Sequence, residues 1–109
     1  MSDSDVSNLL SVHIERTTYI AVVRCSGKLV AGTQRYFYDT ISEIIPQSKK
    51  ILLDMEKLSR IDSTGIGALI RLYVSTRSSG CTLELVNVGK PIRDLLGLTN
   101  LFTVFAYSG

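Results

Sequence analysis

Tryptophan is absent from this 109-residue sequence, and it holds only two prolines, two cysteines and one histidine. Each scarcity excludes something. Cys25 and Cys81 are too few for a disulfide framework or for a zinc site of their own. They read more simply as small buried hydrophobes within strands, kept as thiols in a reducing compartment. The lone His13 leaves any serine, threonine or cysteine nucleophile without a converging base and orienting group. It reads as an exposed residue of an edge hairpin. No apolar run reaches the roughly 18 residues that a membrane-spanning helix needs. The opening MSDSDVSN is acidic and polar, the reverse of a secretory signal's basic and apolar start. A cytoplasmic location is the expectation. Twelve Lys and Arg against ten Asp and Glu give a net charge of +2, too little for a dense basic stripe, so no direct nucleic-acid partner is expected.

What the sequence does hold is 45% apolar and 20% charged residues, enough for one packed core. There are no linkers, repeats or low-complexity runs. Residues 1–8 are expected to form a flexible N-terminus, and 9–109 a single domain.

Val12 to Arg16 alternates apolar and polar, which predicts a half-buried strand. Tyr19 to Cys25 is nearly continuously apolar and predicts a more buried one, joined through Thr17 and Thr18 by a tight turn and ended by Ser26-Gly27. Phe37, Ile41, Ile44 and Ile45 recur at helical spacing from Thr33, with Tyr38 beside the stripe and Pro46 as the stop. Ile51 to Asp54 is a short strand. A second helix starts near Ser63, with Ile66, Leu69, Ile70, Tyr73 and Val74 as its buried stripe, Arg71 and Arg77 off it, and Gly80 as its end. Thr82 to Val88 predicts a strand, with Leu83 and Leu85 inward and Val86 a further inward candidate. Pro91 opens a short third helix with Ile92, Leu95 and Leu96 on one face. Phe102 to Phe105 predicts a last strand. The order is β-β-α-β-α-β-α-β: an α/β fold with a mixed, mostly parallel sheet of about five strands and helices packed on it.

The segment Ile61-Asp62-Ser63-Thr64-Gly65-Ile66-Gly67 is the most informative. A dinucleotide fingerprint fails because Ile70 stands at the third glycine position. A nucleophile elbow fails at Ile61, and the Gly-Lys-Ser/Thr of a phosphate loop is missing. Asp54, Glu56 and Asp62 are neighbours in sequence but lack a further ligand for a metal. Neither a catalytic residue nor a cofactor or metal site is therefore expected. Asp62, Ser63 and Thr64 are all candidates to cap the helix. A hydroxyl exposed at such a turn is open to another protein, and the helix start tolerates a phosphate there.

Leu53 to Gly67 (LDMEKLSRIDSTGIG) resembles the signature of STAS domains, the anti-sigma factor antagonist family: an apolar strand, a loop, then Asp-Ser-[Ser/Thr]-Gly-hydrophobic-Gly at a helix start. Cys25-Ser26-Gly27-Lys28-Leu29 is similar to the family's strand and Gly-x-Leu turn. Gly80 to Leu83 and Asn87 to Phe102 are similar to its later strand and its closing pattern. The resemblance implies a non-enzymatic module that binds an anti-sigma factor serine kinase. Phosphorylation at Ser63 would switch it off, and a PP2C-type phosphatase would reverse that. It implies a docking loop of Asp62, Ser63, Thr64, Gly65 and Gly67, with exposed residues of the second helix such as Arg71 beside it. Nucleotide and metal would belong to the partners. One position departs: many members carry Asp directly after Gly-x-Leu, and here it is Val30, read as packing under the first helix. Lys28 alters the local charge. The alternative within the family is a scaffold of a stress-sensing assembly or a cytoplasmic subunit of a membrane transporter.

Overall fold

A computed structural model describes residues 9–98 and 106–108. The expected flexible N-terminus, residues 1–8, and the expected strand Phe102 to Phe105 lie outside the described residues. The elements are β1 (Leu10–Arg16), β2 (Ile20–Leu29), α1 (Gln34–Ser42), a 3₁₀ turn (Ile45–Gln47), β3 (Lys50–Ile61), α2 (Ser63–Ser78), β4 (Thr82–Val86), α3 (Lys90–Leu98) and β5 (Ala106–Ser108). They form one five-stranded sheet in the order β1-β2-β3-β4-β5. β1 and β2 are antiparallel; every later pair is parallel. The expected mixed, mostly parallel architecture is thus the one observed. Among the described residues, no helix is long and apolar enough to cross a membrane.

With sequential strand order and the right-handed crossovers that parallel strands take, all three helices fall on one face of the sheet. Burial agrees with this. Ala21, Val23 and Cys25 are buried on β2 and Ile51, Leu53 and Met55 on β3, while Arg24 is exposed and Leu52 and Asp54 are half-buried. The apolar run of β2 therefore does not mark a strand covered on both faces. Val22 is only half-buried, beside charged neighbours on the open face.

β2 and β3 both run longer than their sequences suggest. Gly27 reads as the end of β2, yet the strand passes through it to Leu29. Gly27 takes a left-handed φ of 113°, and a Cβ there would lie 2.2 Å from the Leu9 carbonyl oxygen. Only glycine lets the two backbones approach this closely. On β3 the buried positions are Ile51, Leu53, Met55, Leu58 and Ile61. Steps of two give way to steps of three because the pairing with β2 shifts twice, between Arg24 and Ser26 and between Gly27 and Lys28. Each shift adds a residue to β3, so a bulged strand looks like a loop in sequence.

Phe37, Ile41, Ile44 and Ile45 are buried as expected, but α1 ends at Ser42. Pro46 sits inside the following 3₁₀ turn rather than after a longer helix, where its missing N–H is not needed. β4 stops at Val86 rather than Val88 because Asn87 adopts a left-handed φ of 56°. Pro91 is the second rather than the first residue of α3, and Ile92 and Leu96 are buried beneath that helix.

Helix α2 starts at Ser63, and Gly80 follows its end with a positive φ of 72°, both as expected. Its buried face is rotated from the expected one. Ile66 and Leu69 are inside, but so are Gly65, Ala68, Leu72 and Thr76. Ile70 and Val74 are 39% and 55% exposed, and Tyr73 is half-buried. The buried face thus mixes the small Gly65, Ala68 and Thr76 with Ile66, Leu69 and Leu72.

Candidate functional site

The carboxy-terminal ends of β2 and β3 bring the turn before α1 and the start of α2 together. Asp62 closes the junction. It keeps an extended backbone, and its Oδ1 accepts a hydrogen bond from the Gly65 N–H at 2.9 Å. Its Oδ2 accepts another from the Ala31 N–H at 3.0 Å, across a separation of 31 residues. The Asp62 N–H donates to the Leu29 carbonyl oxygen at 3.3 Å. The backbone donors of Ala31 and Gly65 hold the Asp62 carboxyl below the usual carboxylate range, against a smaller opposing effect of burial; the Thr64 N–H and the Arg60 charge add still smaller contributions in the same downward direction.

Three candidates compete in sequence to cap α2, and Asp62 takes the role with Oδ1 while its Oδ2 holds the Ala31 turn. Ser63 and Thr64 are left exposed at the first turn. Gly65 lies beneath them, buried. A Cβ there would fall 2.1 Å from the Leu29 carbonyl oxygen and 2.9 Å from Ile61 Cγ1. Gly65 therefore lets α2 close onto β2 and lies under the loop rather than on its surface. A Cβ on Gly67 would meet nothing within 4 Å, so that glycine keeps the outward face low.

Along α2, Ser63, Gly67, Ile70 and Val74 fall on one stripe at helical spacing. The two apolar residues of that stripe are exposed, and exposed Arg71 and Arg77 flank it. Arg71 lies over the Tyr38 ring at 4.3 Å, and the Tyr38 hydroxyl meets Ser75 Oγ at 2.6 Å. No acidic residue occurs anywhere in α2. Sequence reasoning placed Ile70 and Val74 in the core and so missed this surface. Only the packing of the helix identifies its outward phase.

Val30 is half-buried at the turn into α1, where its carbonyl oxygen accepts from the N–H groups of Thr33 and Gln34 at 2.9 and 3.1 Å. Its neighbour Ala31 carries the N–H that Asp62 binds. Lys28 and Arg60 are paired positions on β2 and β3 and line a groove of about 320 Å³ beside Asp62. Sequence spacing gives no sign that Ala31, Lys28 and Arg60 meet the loop. Their proximity follows from the parallel register of two strands some thirty residues apart.

The remaining candidates lie elsewhere. His13 is exposed on the open sheet face, 3.5 Å from Glu15, which also pairs with Arg24. Asp54 Oδ1 accepts from the Glu56 N–H at 3.0 Å and from Asn87 Nδ2 at 3.2 Å, and Arg24 lies 3.8 Å from its other oxygen. Asp54 is thus held on the open face and Asp62 at the helix cap. Among the described residues, no three His, Cys, Asp or Glu side chains are grouped to hold a metal. Burial, with a smaller contribution from the Asp54 charge, pushes the Cys25 thiol up to about 12. Burial raises Cys81 as well.

A one-faced mixed sheet, with helices on one side and an Asp-capped hydroxyl loop at its carboxy-terminal edge, defines a small α/β domain. The STAS domain family model matches residues 11–108, and the chain belongs to that family. It is 27% identical over 97 residues to an anti-sigma F factor antagonist of Paenibacillus polymyxa, covering 87% of this chain and 83% of that protein. Its fold is similar to that of the anti-sigma factor antagonist SpoIIAA of Bacillus. The unphosphorylated form gives a TM-score of 0.72 at 20% identity, over 91% of this chain and 88% of that one. The phosphorylated form gives 0.71 at 20%, over 91% and 92%. An anti-sigma factor antagonist from Mycobacterium paratuberculosis gives 0.79 at 19%, over 90% and 84%.

Proposed function

We propose that this chain is an anti-sigma factor antagonist that acts by binding and not by catalysis. Its partner is an anti-sigma factor that is also an ATP-dependent serine kinase. Nucleotide and metal come with that partner, and a PP2C-type phosphatase completes the cycle. The docking surface is the loop Asp62, Ser63 and Thr64, with Gly65 supporting it from below, continued by Gly67, Ile70 and Val74 between Arg71 and Arg77. The unphosphorylated chain sequesters the kinase and so frees a sigma factor. Phosphorylation of Ser63 ends that binding.

The observation that carries this reading is the division of labour at the loop. Asp62 caps the helix start with Oδ1 and holds the Ala31 turn with Oδ2, so the exposed Ser63 hydroxyl has no capping task. A phosphate added there leaves the cap intact. It places roughly −1.5 to −2 charges on a surface that a partner must desolvate. Like-charge burial and lost hydrogen bonds at an interface commonly cost about 2–5 kcal/mol.

Incubation with each anti-sigma serine kinase of the same genome and ATP, followed by mass spectrometry, tests this. The expected result is one phosphate, on Ser63, absent from Ser63→Ala. Calorimetry should then show kinase binding weakened at least tenfold by that phosphate. Failure of every such kinase to bind or modify the chain would overturn the proposal.

A further inference from the structure

Beside the acceptor loop stand two cations that the fold itself does not use. Lys28 and Arg60 are partners in the parallel register of β2 and β3, and both are exposed. Among the described residues, neither has a carboxylate within ion-pairing distance, whereas Arg24, Lys50 and Lys90 each do. Both line one groove with Leu9, Val30, Ala31 and Asp62. Of those six residues only Asp62 opposes their charge, and both its oxygens are occupied by backbone N–H groups. The field of Arg60 reaches that carboxylate, since it contributes to keeping Asp62 ionised. Ser63 is the next residue along. Val30, which also lines the groove, adds no negative charge to compete for the two cations.

Resting on the reading of Ser63 as a phosphate acceptor, we propose that Lys28 and Arg60 form a cationic clamp for the phosphate on Ser63. The dianion accepts charge-assisted hydrogen bonds from the ammonium and the guanidinium and is drawn over the groove. The modified loop is then held by the domain itself. Phosphorylation masks the two cations from a partner while it removes the free hydroxyl.

The clamp is testable without a kinase. The chain is produced with phosphoserine inserted at position 63 during translation, and the second ionisation of the phosphate is followed by phosphorus NMR. That ionisation ordinarily lies near about 6. Nearby cations favour the dianion, so its midpoint should be lower in the phosphorylated chain than in the same chain carrying Lys28→Gln and Arg60→Gln, by about half a pH unit or more. About 0.5 M salt should shrink that difference. The helix start is common to both chains and cancels. Each single substitution should give part of the shift, which keeps the test available if the double variant is poorly folded. Lys49→Gln, at the far end of β3, should leave the midpoint unchanged. Equal midpoints with and without the two cations would overturn the clamp, as would an equal shift from Lys49→Gln. The phosphate is placed by synthesis, so this outcome is separate from whether a kinase recognises Ser63.

Discussion

The Asp62 carboxylate and the Ala31 N–H, 3.0 Å apart and 31 residues distant in sequence, fasten the start of α2 to the turn that leads into α1. The other oxygen of the same carboxylate caps the helix. Asp62→Ala removes the acceptor for two backbone donors and should lower the thermal midpoint by several degrees. Asp62→Asn should retain part of the stabilisation, since one amide oxygen remains to accept. The pH dependence has a definite sign. The folded carboxyl ionises below its unfolded value, so its stabilisation is present above about pH 4 and is lost as pH falls through the folded pKa. Urea titrations of wild type and Asp62→Asn should therefore converge on acidification below about pH 4; a gap that widened there would contradict the geometry.

Ser63→Ala should leave stability within about 0.5 kcal/mol of wild type, because the hydroxyl caps nothing. A loss above 1 kcal/mol in urea denaturation would show that the hydroxyl supports the helix start after all.

The two glycines of the loop should respond with opposite signs. Gly65→Ala drives a methyl group into the Leu29 carbonyl and should cost about 3 kcal/mol. Gly67→Ala meets open space on a helix and should stabilise by about 0.5–1 kcal/mol. Chemical denaturation of both variants measures the contrast.

On α2, Leu69→Ala should cost about 2–5 kcal/mol because Leu69 is fully buried. Ile70→Ala and Val74→Ala should each cost about 0.5 kcal/mol. If Ile70 and Val74 form part of the docking surface, their loss should appear instead as weaker kinase binding.

Cys25 should resist alkylation by iodoacetamide at pH 8 in the native chain and react once urea unfolds it. A thiol pushed up to about 12 and shielded from solvent has almost no thiolate to offer. Mass spectrometry of briefly treated samples reads this directly.

Much of the fold was legible because its signals are local. Alternation, helical spacing and Gly80 mark elements without reference to the rest of the chain. The start of α2 at Ser63 was legible for the same reason, since three capping residues follow an apolar strand. Three features were not. The inward face of α2 includes Gly65, whose lack of a side chain matters only against Leu29 of β2 and Ile61 of β3. The last half of β3 hides behind two register shifts that exist only in its pairing with β2. Lys28, Ala31 and Asp62 meet at one groove through a parallel register that no short window of sequence contains.

The strands of this sheet lie in space in the order in which they occur in the chain. No strand has to be inserted between two already placed. A ribosome releasing the chain from its amino end delivers the hairpin first and then one strand and helix at a time to the growing edge. By the time Asp62 emerges, β2 and the Ala31 turn that it must bind are already outside. The loop on which the proposed switch depends is thus finished early in synthesis, before the far edge of the sheet exists.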